Sequence, residues 1–252
     1  PFLNNSGVNS RFLSLLNYFR YKQTKVDILS HINFIDDWNT YDELLIDNLY
    51  LNDFNQYKTF FQRVRRKIKS LFNKSLESYV YSIIIKHFKN IVQTNQYDYI
   101  LVSYVNWADL LKYIDTSKVQ TVLTIEDFIS MNNYERSNGR YNLGQSINEE
   151  IERINLFDKA ICISKEEANF FERACKDVEF HHIPHFLESK FSENKKDTDI
   201  VFVGSDNPFN RDGMIWFFEY VMPHLSDVYK IKIIGRVNEH IGHVIIEELI
   251  IL

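Results

Sequence analysis

Residues able to do chemistry gather at three places in this chain of 252 residues. Gly204-Ser205, followed by Asn210 and Arg211, lies within DIVFVGSDNPFNRDG at 199–213. Gly235-Arg236 closes the run IKIIGR at 231–236. Glu126-Asp127 follows the apolar run that ends at Thr124 and Ile125. A glycine directly behind a β-branched run lets a strand end and turn without side-chain bulk. In open α/β sheets that carboxyl rim is where ligands sit, with phosphate near a helix N-terminus. Carboxylates delivered to such a rim can orient a ligand hydroxyl or stabilise positive charge. Asp127 is equally suited to capping the helix that follows.

Two other groups carry less. His181, His182 and His185 invite a metal, but strand alternation puts the first two on opposite faces and no cysteine or carboxylate cluster accompanies them, so no metal site is expected. Cys162 and Cys175 show no metal spacing and read as reduced structural thiols.

The elements that must position these groups follow from periodicity. Residues 200–203 form a short buried strand. Met214, Phe217, Phe218 and Val221 make one face of a helix that stops at Pro223, with Asn210 or Asp212 placed to cap it. Residues 231–236 return as a second strand, completing a βαβ unit. Nearer the start, Val8, Phe12, Leu15, Leu16 and Phe19 mark a helix, residues 25–32 a strand, and the acidic stretch 38–50 loop and short helix. Phe61, Val64, Ile68 and Leu71, set among Arg63, Arg65, Arg66, Lys67, Lys69 and Lys74, predict an amphipathic basic helix over 61–74. Such a helix either lies on an anionic membrane surface or turns its apolar stripe to the core.

Residues 76–92 read as a long buried helix, 97–103 as a strand, 107–114 as a helix and 119–124 as a strand. Residues 130–144 read as a polar loop in which Arg136 and Arg140 are exposed or meet phosphate. A helix over 147–157 would carry Glu149, Glu150 and Glu152 on a solvated face. Residues 160–163 form a strand, after which Ser164 caps a helix and Glu167 completes a capping box. The strand at 178–184 closes the first sheet, and the polar stretch 188–198 is a linker. This β-α-β cadence predicts an α/β protein with a doubly wound parallel sheet.

Composition narrows the classes. A hydrophobic content of 45% excludes a mainly disordered chain. The net charge of -5 gives no global reason for a nucleic-acid partner, and the basic helix lacks an aromatic stacking platform. No apolar run approaches the ~20 residues that span a bilayer, and no signal peptide is visible. Pro1 cannot initiate a chain, so a trimmed or processed start is expected.

The spelling FVGS, loop, N-x-x-G, apolar helix, P-x-L, strand ending I-G-R resembles the start of the nucleotide-sugar domain of GT-B glycosyltransferases. The likeness is closest to their large retaining family of bacterial polysaccharide and lipid-linked sugar transferases. A second match is DKAICISKEEANFF at 158–171, which that family spells as a strand, a serine and a helix with an acidic or polar first turn. YDYILV at 97–102 and Ser6-Gly7, resembling the family's N-terminal loop, match more loosely; Gly7 also suits an ordinary turn that opens a helix.

The resemblance implies two Rossmann-like, doubly wound parallel-sheet domains, 1–187 holding an acceptor and 199–252, incomplete, holding a nucleotide-sugar. It implies catalytic roles for Asp127 and Glu126, donor binding by Gly204, Ser205, Asn210, Arg211, Gly235 and Arg236, and an acceptor-side loop at Ser6 and Gly7. The nucleotide-sugar is a substrate, and no further cofactor is implied. The acceptor is a glycan or a lipid-linked glycan, and the location is cytoplasmic or peripheral at the inner membrane face, through the basic helix. Two departures stand out. Ser205 replaces the basic residue many relatives carry, with Arg211 offset as the nearest cation, and no acidic pair for the ribose is recognisable after about residue 240. On that ground the fragment alone is expected to be inactive. An epimerase-like enzyme of the same fold and a non-catalytic Rossmann-like module remain as alternatives.

Overall fold

The structure is a computed structural model that describes residues 7–31, 46–52, 76–137, 141–186, 198–225, 229–237 and 250–251. It is α/β with parallel sheets and divides into two compact units, Pro1–Glu188 and Ser189–Leu252. Ser6, the basic helix at 61–74 and most of the linker lie outside the described residues. No helix among the described residues is long and apolar enough to cross a membrane.

In the first unit, helix α1 (Gly7–Tyr21) precedes β1 (Asp27–His31), which pairs in parallel with β2 (Asn48–Asn52). Residues 48–50, expected as loop or short helix, therefore belong to a strand. Its sequence, NLYLN, alternates polar and apolar residues in the period of a half-buried strand. Helix α2 (Ser82–Thr94) turns Ile84, Phe88 and Ile91 inward, four and then three residues apart. The expected helix at 76–92 thus begins six residues late: residues 76–81 lie outside any helix or strand, and Leu76 and Glu77 are held by side chains of a later helix.

The central sheet takes its strands in chain order and in parallel: β3 (Tyr99–Ser103), β4 (Gln120–Ile125), β5 (Lys159–Cys162) and β6 (Glu179–His182). A 3-10 helix over Val105–Tyr113 links β3 to β4. Leu123, Ala160, Cys162, Ile84, Ile154 and Phe171 meet in the core. Asp158 locks β4 to β5 at their amino ends. Its carboxylate accepts from the Thr121 N–H (2.7 Å) and hydroxyl (2.8 Å), while its own N–H donates back to Thr121 Oγ1 (3.0 Å). The aspartate that opens the second motif is therefore a fastener of the sheet.

Two helices, α3 (Ile129–Arg136) and α4 (Leu143–Ile154), cross between β4 and β5. This corrects the polar loop expected over 130–144. The cause is Glu150, fully buried instead of lying on the expected solvated face. Phe128 at the N-cap offers α3 no side-chain bond. Glu150 supplies one from 20 residues away, accepting from Ile129 N–H (3.1 Å), Ser130 N–H (2.9 Å) and Ser130 Oγ (2.5 Å). Of the other two glutamates, Glu149 accepts from Leu76 N–H at 2.8 Å and Glu152 is exposed. Helix α5 (Lys165–Ala174) then begins as expected, with Ser164 accepting from Glu167 N–H at 3.2 Å.

The second unit pairs β7 (Ile200–Val203), β8 (Ile231–Ile234) and β9 (Ile250–Ile251) in parallel. Helix α6 (Pro208–Trp216) widens into a π-helical turn over Phe217–Val221, ahead of Pro223, which has no N–H to donate. Met214, Phe218, Ile233 and Val237 form its core, packed with Phe202.

Candidate functional site

The rim of the first unit assembles at the carboxyl ends of β3, β4 and β5. Glu126 leaves β4 and is bound by Arg11 of α1, Nη1 to Oε2 at 2.9 Å, with both side chains largely buried. Asp127 follows and is exposed. The first N–H groups of α3 go to Glu150, and the Phe128 N–H goes to Glu167. Capping therefore does not account for Asp127. One oxygen of Glu167, Oε2, is buried without a hydrogen-bond partner. Burial first, and Asp127 second, push the Glu167 carboxyl above its usual range.

Tyr104, not anticipated from the sequence, occupies the turn after β3 with φ 71° and ψ 132°. Burial, then Asp127 and Glu126, push its phenol up to about 12, so it is a donor at neutral pH. The chemistry available here is that of exposed and buried carboxylates beside a protonated phenol. Glu126 is charge-compensated by Arg11, and Asp127 is presented to solvent.

Neither cysteine suits nucleophilic work. Burial pushes Cys162 up to about 12 and Cys175 up to about 11, so both stay as thiols. Among the described residues no group of three His, Cys, Asp or Glu side chains is placed to hold a metal ion, and His181 instead contacts Glu179 at 3.0 Å. A groove of about 600 Å³ along α5, lined by Glu166, Asn169, Phe170, Arg173 and Ala174, offers one helix face without a nucleophile.

The rim of the second unit brings Gly204, Ser205, Asn210, Arg211 and Gly235 together. Gly235 has φ +104°, and a Cβ there would stand 2.3 Å from the Gly204 carbonyl oxygen. Only glycine fits, by conformation and by space. Gly204 donates its N–H to Ile234 O (2.9 Å), and its carbonyl accepts from Val237 N–H (3.3 Å). These bonds stitch the two strand ends together. The cap of α6 is Asn207, accepting from Asn210 N–H at 2.8 Å, and not Asn210 or Asp212. Pro208 at the first helical position needs no partner for a missing N–H, which favours Asn207 at the cap.

Asn210 instead donates through its amide to Ser205 O at 2.9 Å, folding the loop back on itself. Arg211 pairs with Asp206 at 3.4 Å. Ser205 and Arg236 are exposed at the rim. Of the loop expected at Ser6 and Gly7, Gly7 is the first residue of α1 and Ser6 lies outside the described residues.

Sequence reasoning missed Tyr104, Arg11 and the buried Glu150. The positive φ of Tyr104 has no sequence signature, and the partners of the other two lie 115 and 20 residues away. No protein-family model matches the chain, and no curated protein matches it.

Proposed function

We propose that the chain is the acceptor-side domain and the beginning of the donor-side domain of a GT-B glycosyltransferase of the retaining type. In this reading the whole enzyme moves a sugar from a nucleotide-sugar to a glycan or lipid-linked acceptor, in the cytoplasm or at the inner face of the membrane. The observation that carries it is the glycine pair of the second unit. Gly204 and Gly235 bring two adjacent parallel strand ends together so tightly that a Cβ at Gly235 would strike the Gly204 carbonyl. That leaves bare backbone beside the capped N-terminus of α6, which favours a bound diphosphate through its dipole.

The geometry divides the expected donor residues. Gly204 N–H, Asn210 and Arg211 already serve the protein's own bonds, and Ser205 Oγ accepts from Asn207 at 3.2 Å, so the Ser205 hydroxyl proton and Arg236 are the groups that would meet phosphate. In the first unit, Asp127 would orient the acceptor hydroxyl or face positive charge developing at the anomeric carbon, while Glu126 holds Arg11.

Binding tests this without requiring turnover. Thermal shift and isothermal titration with UDP-, GDP-, ADP- and CDP-sugars are expected to select one nucleotide. Arg236→Ala should weaken that binding at least tenfold. A protein stabilised by none of the four would overturn the reading.

A further inference from the structure

The backbone at Tyr104 is the starting point. At φ 71° and ψ 132° it occupies a region that glycine enters freely and an aromatic residue enters only under strain. Both flanks enforce it: Tyr104 N–H donates to Thr124 O of β4 at 3.2 Å, and its carbonyl accepts from Trp107 N–H of the 3-10 helix at 3.1 Å. Glycine would make the same turn without strain, so the ring, and not the turn, is the reason for a tyrosine.

The surroundings of the ring suit one class of ligand. Glu126, Asp127, Tyr79 and Arg11 lie within electrostatic reach of its hydroxyl. Tyr79 is partly exposed and stands edge-on to Trp107, with ring centroids 5.4 Å apart. Aromatic faces beside carboxylates match a pyranose, whose C–H face stacks on a ring and whose hydroxyls donate to carboxylates. A phosphorylated ligand fits badly. Arg11 is bound to Glu126, and Asp127 stands close enough to help raise the Glu167 carboxyl above its usual range.

Building on the glycosyltransferase reading, we propose that Tyr104 contacts the acceptor, stacking on and hydrogen-bonding a neutral, hydroxyl-bearing sugar in preference to a phosphorylated one. Its place at the end of β3 holds the ring at the rim beside Asp127.

The test uses the whole chain and ligand-observed NMR. The probes are methyl glycosides of glucose, galactose, mannose and N-acetylglucosamine, each paired with its 6-phosphate. At least one neutral glycoside should bind, more tightly than its phosphate. Tyr104→Phe should weaken it at least tenfold, and Tyr104→Gly should abolish it. Thermal midpoints give an independent check: Tyr104→Gly should melt above Tyr104→Ala, since both lose the ring and only glycine loses the strain. Equal glycoside binding by wild type and Tyr104→Phe would overturn the proposal, as would a preference for the phosphates. A wild-type protein that binds a nucleotide-sugar but no neutral glycoside would also overturn it while leaving the glycosyltransferase reading standing. Absence of any nucleotide-sugar binding would remove that reading itself.

Discussion

The rim of the first unit and the rim of the second are built by different physics. In the first, side chains reach across the chain to hold the turns: Arg11 to Glu126, Glu150 to the start of α3, and Arg153 to the carbonyls of Leu76 and Glu77 at 3.1 and 3.0 Å. In the second, close backbone contact and side-chain bonds spanning no more than five residues do the holding. Gly204 and Gly235 touch, Asn207 caps Asn210, and Asn210 returns to Ser205 five residues away. A rim held by buried charge responds to pH and to truncation of distant residues. A rim held by backbone contact responds to added volume. The two can be broken separately.

The largest effect is expected at Glu150. Glu150→Ala leaves two backbone N–H groups and the Ser130 hydroxyl without their acceptor in the core, a loss of about 3 kcal/mol or more in urea unfolding. Its counterpart in the second unit is Gly235→Ala. That change adds a Cβ 2.3 Å from a backbone oxygen at φ +104°, and about 2 kcal/mol is expected to be lost. Trp216 lies in the second unit and Trp107 in the first, so fluorescence of single-tryptophan variants reports where each substitution acts. A loss below about 1 kcal/mol for Glu150→Ala would mean that α3 does not depend on its distant cap.

These contrasts also explain what the sequence made legible. The parallel strands at 99–103, 120–125, 159–162, 200–203 and 231–234 could be read because short β-branched and apolar runs bounded by turn residues have few other uses. Ser164 could be read as a cap for the same reason, since its bond to Glu167 spans three residues. The capping box was half legible. Glu167 turns away from Ser164 to accept from Phe128, a partner that local pattern cannot supply.

Helix α3 was illegible because its stabilising group lies in the next helix, and Glu150 looked like one of three surface glutamates. Asn207 was passed over for Asn210, although Pro208 behind it marks a helix start. At the sites, the glycines announced themselves. Tyr104 did not, because nothing in the letter Y encodes a positive φ.

A smaller effect tests the electrostatic half of the comparison. Burial raises the folded-state carboxyl of Glu150 against the hydrogen bonds from Ser130 and Ile129. The folded protein therefore binds this proton more tightly than the unfolded chain does. Its stabilising contribution is full below the unfolded glutamate value of about 4.3 and is lost as pH rises from there through the raised folded value. The difference in unfolding free energy between wild type and Glu150→Gln, followed by urea titration across that window, should move in favour of the glutamine variant as pH rises. A pH-independent difference would show that the carboxyl is not shifted on folding. Gly235→Ala should leave the slope unchanged.

The smallest stability effect belongs to Asn210, and it sharpens the comparison most for function. Its amide donates to Ser205 O at 2.9 Å, a bond within an exposed loop. Asn210→Ala should therefore cost about 0.5–1 kcal/mol. The same substitution frees the Ser205 carbonyl and lets the loop beside α6 spread. If the second rim grips a diphosphate through a backbone cradle, affinity for the selected nucleotide-sugar should fall by about tenfold, equivalent to about 1.4 kcal/mol, more than stability does. Asn210→Asp keeps the size and removes the donor, placing an acidic oxygen where it meets Ser205 O and, in the proposed reading, phosphate. It should bind more weakly still. Equal binding by all three proteins would mean that Asn210 shapes the loop without bearing on the ligand, and that the work of the second rim rests on its glycines, Ser205 and Arg236.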